Sequence, residues 1–312
     1  MTADQTTWTD ANQRYMMAAL ARIHAALERQ RARLDAVPPP DIEEVEPSWP
    51  DDGSVPTLVA LCQAFGLSPF ERDTLLLCAG MELQSRFAPL CAAAQGDPAR
   101  PYPTFSLALA ALDAPNWGAL TPDAPLRHWR LIEIAQQPGV PLTTSPLRID
   151  ERILHFLIGL QHLDERLVGL VEPIWSESEL IASHLTLAQR IGAAWTRAQE
   201  PLPLIQLCGA DETSKRDIAA TACAAVGLRL FCLHADSVPA NASEFEGLAR
   251  LWERETALTS CALYVAAETI DQADARIVAN LTRLLERIRG PLLLSVRDRW
   301  RALRRPIPVS YT

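Results

Sequence analysis

Residues 201–227 read PLPLIQLCGADETSKRDIAATACAAVG, and this stretch decides the fold. A short apolar run, 201–208, is closed by Gly209, and after a few polar residues a helical pattern opens. Three more apolar runs follow, LRLFCLH (228–234), CALYVAA (261–267) and PLLLSV (291–296), each bounded by turn signals. Helical patterns over 216–226, 243–257 and 271–289 separate them. Strands covered on both faces lose their in–out alternation and read as continuous apolar runs. The βαβαβαβ order therefore predicts an open parallel α/β sheet. A fifth strand is expected over 307–309.

In such a sheet, ligands bind outside the carboxyl ends of the strands. There the chain places Gly209-Ala210-Asp211-Glu212-Thr213-Ser214-Lys215-Arg216, between a strand and a helix. The phosphate-binding loop GxxxxGK[ST] has the same position. Its amides and helix N-terminus cradle phosphates, its lysine reaches the β and γ phosphates, and its hydroxyl residue holds Mg²⁺. Gly209 and Lys215 fall at the motif's spacing, but Ser214 replaces the second glycine and Arg216 the hydroxyl residue. Lys215 is the single lysine among 29 basic residues, the rest being arginine. The third strand should end in an acidic pair and gives Ala267-Glu268 instead. Glu268 stands where a carboxylate would orient the attacking water, while the Mg²⁺-binding aspartate is alanine. Ser295-Val296-Arg297 gives the fourth strand a polar tip, and Arg304 and Arg305 precede the fifth as a basic turn.

Upstream, residues 10–36 carry Tyr15, Met16, Ala19, Leu20, Ile23, Leu27 and Leu34 at helical spacing, up to Pro38-Pro39-Pro40. The segment DIEEVEPSWPDDGS (41–54) is acidic and proline-rich, a linker or draped arm whose Glu43, Glu44 and Glu46 read as a solvated charge run. Helices are expected near 57–65, from the capping box Ser68-Pro69-Phe70-Glu71 onward, and near 83–95, 105–112 and 150–160. Between the last two, WRLIEI (129–134) and PLTTSPLRI (141–149) flank a Gln136–Gly139 turn as a β-hairpin. Several helices and a hairpin describe a winged-helix-like module. The expected organisation is residues 1–54, a helix and linker; 55–172, the winged-helix-like domain; 173–200, a connecting helix; and 201–312, the α/β domain. Charge is divided the same way, −10 over residues 1–200 and +1 over 201–312.

With these residues in view a resemblance emerges. AFGLSPFERDTLLLCAG (64–80), QGDPARPYPTF (95–105), PLRIDERILHFLIGL (146–160) and QLCGADETSKRDIA (206–219) resemble the N-terminal halves of AAA+ ATPases found with extracellular contractile injection systems. The similarity covers nearly all of residues 10–312. It implies a winged-helix-variant domain followed by a P-loop AAA+ domain with degenerate Walker motifs, and an intact ATPase domain further along a parent chain. The helical lid that follows the fifth strand in that family does not precede Thr312, so the resemblance implies a fragment or a truncated form. Gly209, Ser214, Lys215 and Arg216 would then be the remnant ATP/ADP contacts, weak and without Mg²⁺, and Glu268 a remnant Walker B acid. Arg304 or Arg305 would take the arginine-finger position. A homo-oligomeric ring is expected, with injection-particle components or cargo as partners.

Two other function classes remain open on sequence: a non-enzymatic adaptor docking through residues 1–172, and a DNA-binding regulator. A DNA reader needs a basic face, and the −10 over residues 1–200 opposes one, although Arg127, Arg130 and Arg148 could form a local patch. The seven cysteines lie mostly in apolar stretches without a CxxC pair, as expected for reduced thiols in a cytoplasmic protein rather than zinc ligands. No apolar run approaches the ~20 residues of a membrane span, and the polar, acidic N-terminus has no secretory pattern. No HxxxH or HExxH spacing occurs among the six histidines, and Ser145 and Ser214 lack a GxSxG context.

Overall fold

Heptad-like burial shapes the first helix, α1 (Ala3–Leu34), of a computed structural model that describes residues 3–41, 48–49, 54–175, 179–198, 202–270, 274–300 and 306–310. Met16, Ala19, Leu20, Ile23 and Leu27 are all buried, as their spacing requires, while Leu34 at the last turn is half exposed. The chain divides into two units, Met1–His162 and Leu163–Thr312.

In the first unit α1 packs on α3 (Pro69–Leu83), α4 (Phe87–Gln95) and α5 (Phe105–Ala111). Helix α2 (Thr57–Phe65) ends on Gly66, whose φ of +63° suits a residue without Cβ. Helix α3 opens on Ser68 with both capping-box hydrogen bonds to Glu71 present. After the single turn α6 (Pro125–His128) come β1 (Ile132–Ile134) and β2 (Leu147–Ile149). These pair antiparallel as the wing, with Ile132 opposite Ile149, and α7 (Glu151–Leu157) follows on the Asp150 cap. One buried amide ties three helices. Asn12 on α1 donates to Leu157 O at 2.8 Å and accepts the Thr57 amide at 3.0 Å. Of the acidic arm, Trp49 lies edge-on to Trp8 and Tyr15 of α1, and its indole N–H donates to Ser54 O at 3.0 Å. Glu43, Glu44 and Glu46 lie outside the described residues.

The second unit is a six-stranded sheet. Its strands are β3 (Val171–Ile174), β4 (Leu204–Cys208), β5 (Arg229–His234), β6 (Cys261–Ala266), β7 (Leu292–Val296) and β8 (Pro306–Ser310). They lie in the order β3-β5-β6-β7-β4-β8, all parallel except β3. One face is covered by α8 (Ala182–Arg197) and α9 (Glu212–Ala225), through residues such as Ile191, Trp195, Ile218 and Cys223. The other is covered by α10 (Ala242–Leu258) and α11 (Ala275–Arg287), through Phe245, Trp252, Leu281 and Leu284. Every residue of β6 is buried, which is why the strand runs read as continuously apolar. The fold is thus a helical winged-helix region followed by a P-loop-like α/β sheet.

One strand and one boundary differ from the sequence expectation. Strand β3 falls across the expected boundary at residue 172. It pairs antiparallel with β5, Val171 opposite Leu233, so residues 163–174 belong to the second unit. Four residues containing Glu172 and Pro173 give no strand pattern, and proline is tolerated there because β3 is an edge strand.

The segment before β3 is held by charge. Asp164, 2% exposed, accepts from Arg254 on α10, which is fully buried, and from Arg166 Nε and Nη2, both at 2.9 Å. Burial pushes the Asp164 carboxyl up, but the Arg166 hydrogen bonds and the Arg254 charge outweigh it and bring it down to about 2. Since that lies below the ordinary 3.8, the pair contributes its full stability above about pH 4 and loses it as pH falls toward 2. Removing one partner of a buried pair strands the other charge. Asp164→Ala is therefore expected to cost about 3–5 kcal/mol in urea unfolding at pH 7. The difference from the unsubstituted chain should shrink in the acid range.

Candidate functional site

The carboxyl ends of β4, β6 and β7 converge where the sequence placed the phosphate-loop remnant. Gly209 leaves β4 with φ +149°, a region open chiefly to glycine, and its amide donates to Val296 O at the tip of β7 at 3.2 Å. Only Gly209, Ala210 and Asp211 separate β4 from α9. Glu212, Thr213 and Ser214, which the motif uses as loop, are already helical.

Asp211 is the N-cap of α9. Its carboxylate accepts the Ser214 amide at 3.2 Å and the Ser214 hydroxyl at 2.6 Å. The Ser214 hydroxyl and amide hold this exposed carboxyl below its usual range. An N-cap acid satisfies first-turn amides that would otherwise face an anion. This role was not read from the sequence, although Asp211-Glu212-Thr213-Ser214 immediately before a helical pattern carried the signal.

Lys215 has no solvent exposure. Its ammonium donates to Val296 O at 3.0 Å and pairs with Glu268 Oε1 at 2.9 Å; the Glu268 side chain is 5% exposed. The same carboxylate oxygen accepts the Ser295 hydroxyl from β7. Lys215, Glu268, Ser295 and the Gly209–Asp211 turn are therefore one connected group. Arg216 turns away, its guanidinium 3.8 Å from the Cys232 thiol of β5. Burial pushes that thiol up to about 11. Ala267 follows directly on β6, its amide donating to Ser295 O at 2.9 Å. Arg304 and Arg305 lie outside the described residues.

Other candidates do not join this group. Arg127 donates to Leu120 O, and Arg148 lies opposite Glu133 in the register of the wing. His155 and His162 meet at 2.8 Å on the surface of the first unit. Among the described residues, no group of three or more His, Cys, Asp or Glu side chains is placed to hold a metal ion. Ser145 is buried and donates to Pro141 O at 3.0 Å. No described helix is long and apolar enough to cross a membrane.

The buried pair predicts its own energetics. Glu268→Ala leaves the Lys215 ammonium uncompensated and is expected to lower the unfolding free energy by about 3–5 kcal/mol. Arg297→Ala, at the exposed strand tip, should stay within about 0.5 kcal/mol. Chemical denaturation of both variants checks the contrast.

No curated protein matches the chain. A solved structure titled "Structure of Rhizobiales Trip13" is similar at 16% identity and a TM-score of 0.26, over 47% of this chain. The chain spans 64% of that one's length, just under two thirds. The family model "Winged helix domain, variant" matches residues 2–171, more than half of the 312. The chain, with its capped helices, β1–β2 wing and α7, belongs to that variant winged helix family.

Proposed function

We propose that the second unit is a degenerate AAA+ domain, a structural or regulatory tier of a ring-forming ATPase that serves a contractile injection system in the cytoplasm. One observation carries this reading. The lysine of the phosphate-loop remnant and the acid of the third-strand remnant, found separately in the sequence, meet at 2.9 Å at the carboxyl end of the sheet. That is where an α/β sheet of this kind places its ligand.

The same group argues against turnover in this domain. Phosphoryl transfer depends on a metal ion that neutralises developing charge and on residues that hold it. The hydroxyl position is Arg216 and the aspartate position Ala267, and neither side chain supplies a Mg²⁺ ligand. ATP hydrolysis is assigned to an intact domain of the parent protein, and any ATP or ADP binding here is weak. A second reading, a non-enzymatic adaptor, is favoured by Trp117 of the first unit, which stands 68% exposed. Retention of particle proteins by the chain, with and without nucleotide, separates the two. Nucleotide-independent retention by a chain that does not assemble supports the adaptor.

Phosphate release from the purified 312-residue chain is expected to match that of Lys215→Ala; steady release above this control would sink the assignment. Arg304→Ala with Arg305→Ala in the parent ring should weaken assembly, because guanidinium forks suit pairing with carboxylates or phosphate across an interface. Turnover per assembled ring should change little. Sedimentation, with ATPase rates normalised to assembled protein, reads both.

A further inference from the structure

We propose that the second unit fills its own phosphate position, with Asp211 and Glu268 standing where phosphate oxygens would bind. The inference rests on the reading of residues 209–216 as a remnant phosphate loop and goes beyond it. Loss of Mg²⁺ ligands bears only on turnover, whereas internal anions predict a domain whose shape is independent of nucleotide.

A phosphate loop attracts anions in two ways, through the free amides of a helix N-terminus and through a lysine ammonium. Each is taken here by a carboxylate of the chain itself. Asp211 accepts both donors of Ser214 at the start of α9. Glu268 accepts Lys215 at 2.9 Å and the Ser295 hydroxyl. The second contact of the lysine is with protein too, since Val296 O receives its ammonium at 3.0 Å. The three-residue turn leaves no long amide-lined loop. An incoming phosphate would have to displace a carboxylate from an ammonium with no solvent exposure. It would also meet the exposed Asp211 and Glu212. Arg216, the remaining nearby cation of the remnant, is directed at Cys232. In an assembly whose other domains cycle through nucleotide states, such a unit is a constant member that transmits strain without switching.

The test titrates the full 312-residue chain with pyrophosphate and with ADP, read by calorimetry and by the thermal midpoint. The unsubstituted chain is expected to show no heat of binding and an unmoved midpoint at millimolar ligand. Asp211→Ser with Glu268→Gln keeps the cap and the side-chain volume but removes both charges. It should bind pyrophosphate at least about tenfold more tightly and gain in midpoint through mass action. Glu212→Gln, a neighbouring carboxylate outside the hydrogen-bonded group, should gain nothing. Micromolar binding by the unsubstituted chain overturns the proposal, as does a folded double variant that ignores pyrophosphate. Equal gain in Glu212→Gln also overturns it, because net charge alone would then suffice. Where the double variant does not fold, Asp211→Ser alone carries the test, with a smaller gain expected and none being fatal. Failure of the AAA+ reading itself would appear in sedimentation and phosphate release, which these titrations do not touch.

Discussion

An ammonium group without solvent contact must be paired, and the carboxyl end of the second unit is arranged around that requirement. An isolated buried charge costs several kcal/mol even after relaxation. Lys215 meets it with a carboxylate from the loop after β6 and a carbonyl from the tip of β7. Three elements distant in sequence are thereby fixed to one point. Val296 O also takes the Gly209 amide, so the entry of α9 and the end of β7 share an acceptor. A shift of β4 along β7 would break the pair, the turn and the strand register together, from Leu204 opposite Leu292 to Cys208 opposite Val296.

Single buried polar groups do comparable work elsewhere. Gln206, buried in β4, pairs through its side-chain amide with both backbone groups of Trp300 and pins the segment after β7 beneath the sheet. Asp164 and Arg254 lock the residues ahead of β3 to α10. In the first unit Asn12 joins α1 to α2 and α7. Apolar burial supplies most of the driving force but is not directional. These groups choose which of many apolar packings is adopted, because any other leaves a polar atom stranded.

The sheet and the helices were legible in the sequence because both follow from burial. The runs at 204–208, 229–234, 261–266 and 292–296 are covered on both faces, and continuous apolar composition is the direct consequence. The Ser68–Glu71 cap and the wing hairpin were legible for local reasons, a side chain closing a helix end and a turn between two short runs. Strand β3 was not. Its pairing comes from β5, more than fifty residues away, and its own residues carry no alternation. Within the site, the spacing of Gly209 and Lys215 and the place of Glu268 could be read, but not that the last two touch. Loop motifs record which residues a ligand would need. The start of α9 at Glu212, which leaves only three residues of turn, is not written in the motif.

The same geometry gives a physical reason for lysine at 215 in a chain whose other basic residues are all arginine. An ammonium is compact, with three donors that can turn toward whatever acceptors are present. Two acceptors on two different strand ends, Val296 O and Glu268 Oε1, suit it. A guanidinium brings five donors in a rigid planar fork, and in a space closed to solvent each unmatched donor is a cost. Position 215 offers one carboxylate oxygen already shared with Ser295, and a single carbonyl. The requirement is therefore for a small cation that satisfies two separate strand ends at once.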